Sequence, residues 1–256
     1  MTSTAPPAGI LSYGPDEAQH LALSWPAPGT VPRGIAALVH GGYWRSHLFA
    51  SLMEPLAASL RAEGWITANI EYRRGATGRW PAPLEDTAEA LGRINSLRQT
   101  EGIGGPLLTV GHSVGGQLAL LTARLCDGVV ALAPVTDVER THCENLGDNA
   151  AAEYFGASPA QAPDTYRTAS PVQQALGTTP MLILHGINDD RVPIAHSRAF
   201  LAAAGSQSSP VELREFTALS HLEAIDPLAV HWAEALSWMA EAPGPAPRRE
   251  PKSENA

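Results

Sequence analysis

Strand-length apolar runs, each separated from the next by a helix-like segment, constrain this chain more than any other feature. GIAALVH (34–40), WITANIEYR (65–73), LLTVGH (107–112), GVVALAP (128–134), PMLILHG (180–186) and VELREFT (211–217) read as strands. Between and after them, 49–64, 83–98, 114–125, 193–205 and 227–242 carry helical periodicity. The runs are nearly continuous in Val, Ile, Leu and Ala, as expected of strands buried on both faces. That pattern predicts an α/β fold, with a mostly parallel central sheet covered by helices on each side. Ligands of such sheets bind beyond the carboxyl ends of the strands, so the residues just after each run are the candidates for function.

The chain has 256 residues, 44% of them hydrophobic, which suits one domain over 10–242. Residues 1–9 and 243–256 are rich in Pro and small polar residues and read as disordered tails; 135–178, rich in Pro, Ala and Asp, reads as an irregular cap. A net charge of −9 without a basic stripe argues against nucleic acid as a partner. No run is long enough to span a bilayer, and MTSTAPPAGI has no signal-peptide core, so no membrane partner is expected. Two lone cysteines, Cys126 and Cys143, fit a reducing cytoplasm better than a disulfide framework. The histidines show no His-x-His or His-x-x-x-His spacing and the cysteines are isolated, so no metal is expected. A homodimer is compatible with the sequence but not indicated by it.

Gly111-His112-Ser113-Val114-Gly115 sits where an apolar strand gives way to a helix. A serine on such a turn is presented to solvent as a nucleophile, and a Cβ two residues before or after it would crowd the turn. His40-Gly41-Gly42, at the end of an earlier strand, offers backbone N–H groups for a developing oxyanion. The candidate oxyanion-hole residues are therefore Gly41, Gly42 and Val114.

A nucleophilic serine needs a general base, and the base needs an orienting carboxylate. In HGINDDRVP, Asp189 is chosen over Asp190, because Asp-x-x-Val-Pro turns the first acid inward before the next helix. His221, in FTALSHLEA, is the histidine that lies in a loop after a strand and follows the serine and the acid in order. His40 and His112 read as structural. Tyr43, Trp44, Tyr72 and Trp80, with the 135–178 segment, are candidates to line or lid an apolar substrate pocket.

Together these motifs resemble the α/β-hydrolase superfamily over about residues 34–240. HGGYW (40–44) and GHSVGG (111–116) are similar to its esterase/lipase branch, which includes kynurenine formamidase; NIEYRR (69–74), Trp80-Pro81, ASPV (169–172) and HGINDDRVP (185–193) resemble bacterial members. The resemblance implies Ser113 as nucleophile, Asp189 as orienter and His221 as base. It departs at Tyr43, where a third glycine is common, and at Leu222, where many relatives have Phe. The expected activity is hydrolysis of a small carboxylic ester or aryl formamide, such as N-formylkynurenine, an acyl-transfer chemistry that requires no cofactor. Acyl transfer or cyclisation with the same triad, and a non-catalytic binding protein of this fold, are the competing readings.

Overall fold

The computed structural model describes residues 8–207 and 209–242. Residues 1–7 and 243–256 of the expected tails lie outside the described residues. Residue 9, assigned to the N-terminal tail on composition, instead begins a strand.

Eight strands form one sheet in the order β1-β2-β4-β3-β5-β6-β7-β8. They are β1 (Gly9–Ser12), β2 (His20–Ser24), β3 (Ile35–Val39), β4 (Ile66–Ile70), β5 (Leu107–His112), β6 (Gly128–Leu132), β7 (Met181–Gly186) and β8 (Val211–Phe216). From β4 to β8 the neighbours pair in parallel; β2 joins β4 antiparallel and β1 extends that edge. Every residue of β3 to β7 is buried, which is why these strands read as mostly apolar runs. The pleat then sorts them. Ala36 and Leu38 face one core, and Ile35, Ala37 and Val39 the other.

The first core is covered by α1 (Glu54–Ala62) and α8 (Val230–Glu241), through Leu56, Leu60, Trp232 and Met239. The second is covered by α2 (Ala82–Thr100), through Ala90, Leu91 and Ile94, and by Leu118 of α3 (Val114–Leu121). On the same side, Phe200 of α7 (Ala195–Ser206) packs on Val129 and Ile183.

The segment 135–178 is not irregular. It holds α4 (Val138–Cys143), α5 (Leu146–Phe155) and α6 (Pro163–Ala169). Its Pro and Asp residues, which read as loop, serve instead as helix starts: Asp137 caps α4 by accepting from Arg140 N–H, and Pro163 opens α6. These helices bury Val138, Ala151, Tyr154 and Tyr166 against Tyr43, Trp44 and Val114. The cap is thus packed directly on the two loops that concern function.

Candidate active site

Strand register brings the candidate residues to one edge. Val39 pairs with Gly111, so the His40-Gly41-Gly42 loop leaves its strand beside the serine turn. Gly186 pairs with Phe216, so the loops carrying Asp189 and His221 leave β7 and β8 together.

Ser113 joins β5 to α3 with φ 57° and ψ −117°, a conformation costly for a non-glycine residue. The surroundings over-determine it. Its N–H donates to Leu132 O at 2.9 Å, and its carbonyl accepts from Gln117 and Val135 N–H. Close approach explains the glycines: a Cβ on Gly115 would lie 2.0 Å from Val39 O, and one on Gly41 would lie 2.8 Å from Ser113 Cβ. The oxyanion-loop candidate therefore lies directly against the serine.

The turn after Gly41 runs through positive φ at Gly42 (130°), Tyr43 (49°) and Trp44 (60°). Among the described residues, the N–H groups of Gly42, Tyr43 and Val114 reach no backbone acceptor. Val114, as the first residue of α3, has no preceding turn to donate to, and the helix end favours negative charge there.

Asp189 and His221 are both buried, and His221 Nδ1–H donates to Asp189 Oδ2 at 2.8 Å. Asp189 Oδ1 accepts from Arg191 and Val192 N–H, each at 2.9 Å. Burial works against its charge, but the neighbouring His185 ring, the His221 bond and the Val192 amide outweigh that and hold its carboxyl well below the usual range. Asp190 is exposed, as the inward turn of the first acid requires.

His112 supports the imidazole from behind. Its Nε2–H donates to His221 O at 3.0 Å, and the two rings lie 4.6 Å apart. Burial first, and the neighbouring His221 next, keep His112 neutral by driving its pKa far below the ordinary value. The described contacts of His221 are those to Asp189 and His112; none joins its ring to Ser113 Oγ. In unliganded sites of this kind such a contact commonly tightens only when substrate binds.

The aromatic candidates divide. Trp44 is 1% exposed, stacked on Tyr154 at 5.4 Å and bonded through Nε1 to Gln117, so its ring braces the loop from inside. Tyr43 is also largely buried, with its hydroxyl on Arg191 O at 2.6 Å. Trp80 is half-buried, packs near Phe155 and donates to Thr168 Oγ1. A cleft of about 400 Å³ lies behind the turn, lined by residues including Tyr43, Arg45, Arg79 and Glu153; Ser113 and His221 do not line it.

The sequence reading overlooked Glu71, Arg74, His185 and Gln117 as parts of this site. Glu71 and Arg74, charged residues just past the end of a buried strand, were the available signal for the first two. No group of residues suited to hold a metal occurs among the described residues, and no helix among them is long and apolar enough to cross a membrane.

Two family models meet on this site. Residues 104–244 match the prolyl oligopeptidase family, and residues 21–128 match BD-FAE. Both spans include the serine turn, and the first also includes Asp189 and His221. Among curated proteins, esterase LipQ of Mycobacterium tuberculosis is 28% identical over 216 residues, 75% of this chain and 51% of its own length. Kynurenine formamidase of Meyerozyma guilliermondii is 31% identical over 116 residues, 43% of this chain and 40% of its own. The chain spans about half the length of the mycobacterial relatives it matches. A solved carbohydrate esterase from gut microbiota superposes with TM-score 0.79 at 17% identity, covering 94% of this chain and 98% of that one. That likeness shows the α/β-hydrolase fold that the motif resemblance implied.

Proposed function

The chain belongs to the prolyl oligopeptidase family of α/β-hydrolases, and from that premise we propose that it is a serine hydrolase cleaving small carboxylic esters through an acyl-enzyme. The observation that carries the proposal is the buried Asp189–His221 pair at the same sheet edge as the strained Ser113. The names of the mycobacterial esterases support the ester class.

In this reading His221 removes the Ser113 proton as Oγ attacks the ester carbonyl. Asp189 holds Nδ1–H, which leaves Nε2 as the base and stabilises the imidazolium that forms. The carbonyl π electrons move onto oxygen, and the unengaged N–H groups of Gly42 and Val114, with Tyr43 N–H, receive that charge. Each such donor contributes on the order of 3–4 kcal/mol to the transition state. The tetrahedral centre then expels the alcohol, protonated by His221, and water repeats the sequence on the acyl-enzyme.

A second reading, aryl formamide hydrolysis, is favoured by the kynurenine formamidase match. The same steps apply, with an arylamine leaving and formate as the final product. No cofactor enters either reading.

The test of the first reading is a fluorophosphonate label followed by peptide mapping. Modification at Ser113 supports it; absence of labelling, or labelling elsewhere, overturns it. The two substrate readings separate on kcat/KM for p-nitrophenyl acetate against N-formylkynurenine, where preference for the ester favours the first.

A further inference from the structure

Directly behind the oxyanion loop lies a buried ionic chain that the mechanism above does not use. Arg74 bonds to Glu71, and Glu71 Oε1 accepts from His40 Nε2–H at 3.1 Å. The other Glu71 oxygen accepts from Ala50 N–H at 2.9 Å. All three side chains are buried, His40 completely. The His40 ring stacks on Tyr72 at 4.4 Å, and Tyr72 hydroxyl donates to His40 O at 2.8 Å. The histidine therefore has little room to move.

Its second nitrogen decides the geometry of the loop. His40 Nδ1 contacts Gly41 O at 2.7 Å. Both His40 nitrogens then face acceptors, a carbonyl and a carboxylate, so the ring is held from two sides. In a trans peptide the C=O and the following N–H point in opposite directions. Fixing Gly41 O on the buried ring thus turns the Gly42 N–H away from it, and the Gly42 peptide is the one that follows the residue in contact with Ser113.

Arg74 fixes the far side of the same loop. Its guanidinium donates to Arg45 O at 3.2 Å, to Tyr72 O at 2.6 Å and to Leu48 O. Asn69 adds a bond to Ala50 O at 2.8 Å. The positive φ values of Gly42, Tyr43 and Trp44 lie between these anchors, His40 before them and Arg45 after. Such a run persists only where its surroundings hold it. Burial opposes the Glu71 charge, yet the His40 bond, the Ala50 amide and Arg74 lower its carboxyl to about 2, so it stays ionised at neutral pH.

We propose that Glu71 and Arg74, acting through His40, are positioning residues that pre-aim the Gly41–Tyr43 turn as an oxyanion-binding surface. The inference rests on the serine-hydrolase reading and adds to it the parts that keep the amide donors in place. None of the three touches the substrate.

The test uses full-length Glu71→Gln and Arg74→Lys, with all rates expressed per titratable site. Each is measured on p-nitrophenyl acetate and for inhibition by a trifluoromethyl ketone, whose adduct with Ser113 carries an oxyanion. Pre-aiming predicts that kcat falls about 10- to 100-fold in Glu71→Gln with KM within threefold, and that the fluoroketone Ki rises in step with the loss in kcat/KM. Arg74→Lys, which keeps the charge but not the planar fork, shows the same signature more weakly, and carries the test alone if Glu71→Gln does not fold. A merely structural role predicts fewer titratable sites with normal kcat and Ki at each, and that result overturns the proposal. If the wild type neither turns over the ester nor binds the fluoroketone, the hydrolase reading has failed instead.

Discussion

The hydroxyl of Tyr43 donates to the carbonyl oxygen of Arg191 at 2.6 Å, tying the loop after β3 to the loop after β7. Asp189 accepts from Arg191 N–H in that second loop, so one phenol couples the amide-donor turn to the carboxylate that holds His221. Burial, and then Asp189, push the Tyr43 hydroxyl up to about 12, so it remains a donor at neutral pH.

Tyr43→Phe removes that tie while leaving the ring in place. The expected cost is about 1 kcal/mol in stability, as for one buried hydrogen bond. Because Arg191 O would be left without this donor next to the acid loop, kcat on p-nitrophenyl acetate is expected to fall roughly fivefold, a loss of about 1 kcal/mol in the transition state. Steady-state kinetics and thermal unfolding check both numbers.

Asp189→Asn keeps the size of the orienting group but offers an N–H where His221 needs an acceptor. The imidazole then turns to the wrong tautomer, and kcat is expected to fall about 10³- to 10⁴-fold. Full activity in a correctly folded Asp189→Asn would remove Asp189 from the proposed site.

Gly147 joins the cap to the same turn. It has φ 61°, and a Cβ there would lie 2.6 Å from the Tyr43 ring. Gly147→Ala must therefore shift Tyr43 or α5, with an expected stability loss of about 1–3 kcal/mol and a fall in kcat. Denaturant unfolding beside ester kinetics checks whether the two losses appear together.

Much of this architecture was legible because the central strands are buried on both faces and so advertise themselves as apolar runs. β1 and β2 were not. β2 is HLALS, with alternating burial, and gains its place from antiparallel pairing with β4, Leu21 opposite Ile70; such distant pairing leaves little local signal. The cap helices were missed because α4 and α6 are only 6 and 7 residues long, and α5 is interrupted by positive φ at Gly147, Asp148 and Asn149, so none carries a repeating stripe. In the site, the serine turn and the Asp189–His221 pair follow from spacing after strands. The Trp44 ring pointing into the core, the His112 hold on His221 and the Glu71 chain depend on which way side chains turn, which spacing does not encode.

His196 has a pH signature of its own. It is completely buried, and neither ring nitrogen has a partner among the described residues. Burial, then Arg140 and His185, lower its pKa to about 3. Below about pH 6.5 the unfolded chain binds a proton at this position that the folded chain does not, so stability is lost as pH falls from 6.5 towards 3. The slope from this one group is at most about 1.4 kcal/mol per pH unit. His196→Leu is expected to show a shallower decline between pH 6.5 and 4 in urea unfolding; an unchanged slope would show that His196 does not titrate this way.

The central claim is that Ser113 is the nucleophile made reactive by His221 and Asp189. The most direct measurement is kcat on p-nitrophenyl acetate for wild type and Ser113→Ala, with folding checked by circular dichroism. The account predicts a loss greater than about 1,000-fold with the fold unchanged. Turnover near the wild-type rate in folded Ser113→Ala would contradict it.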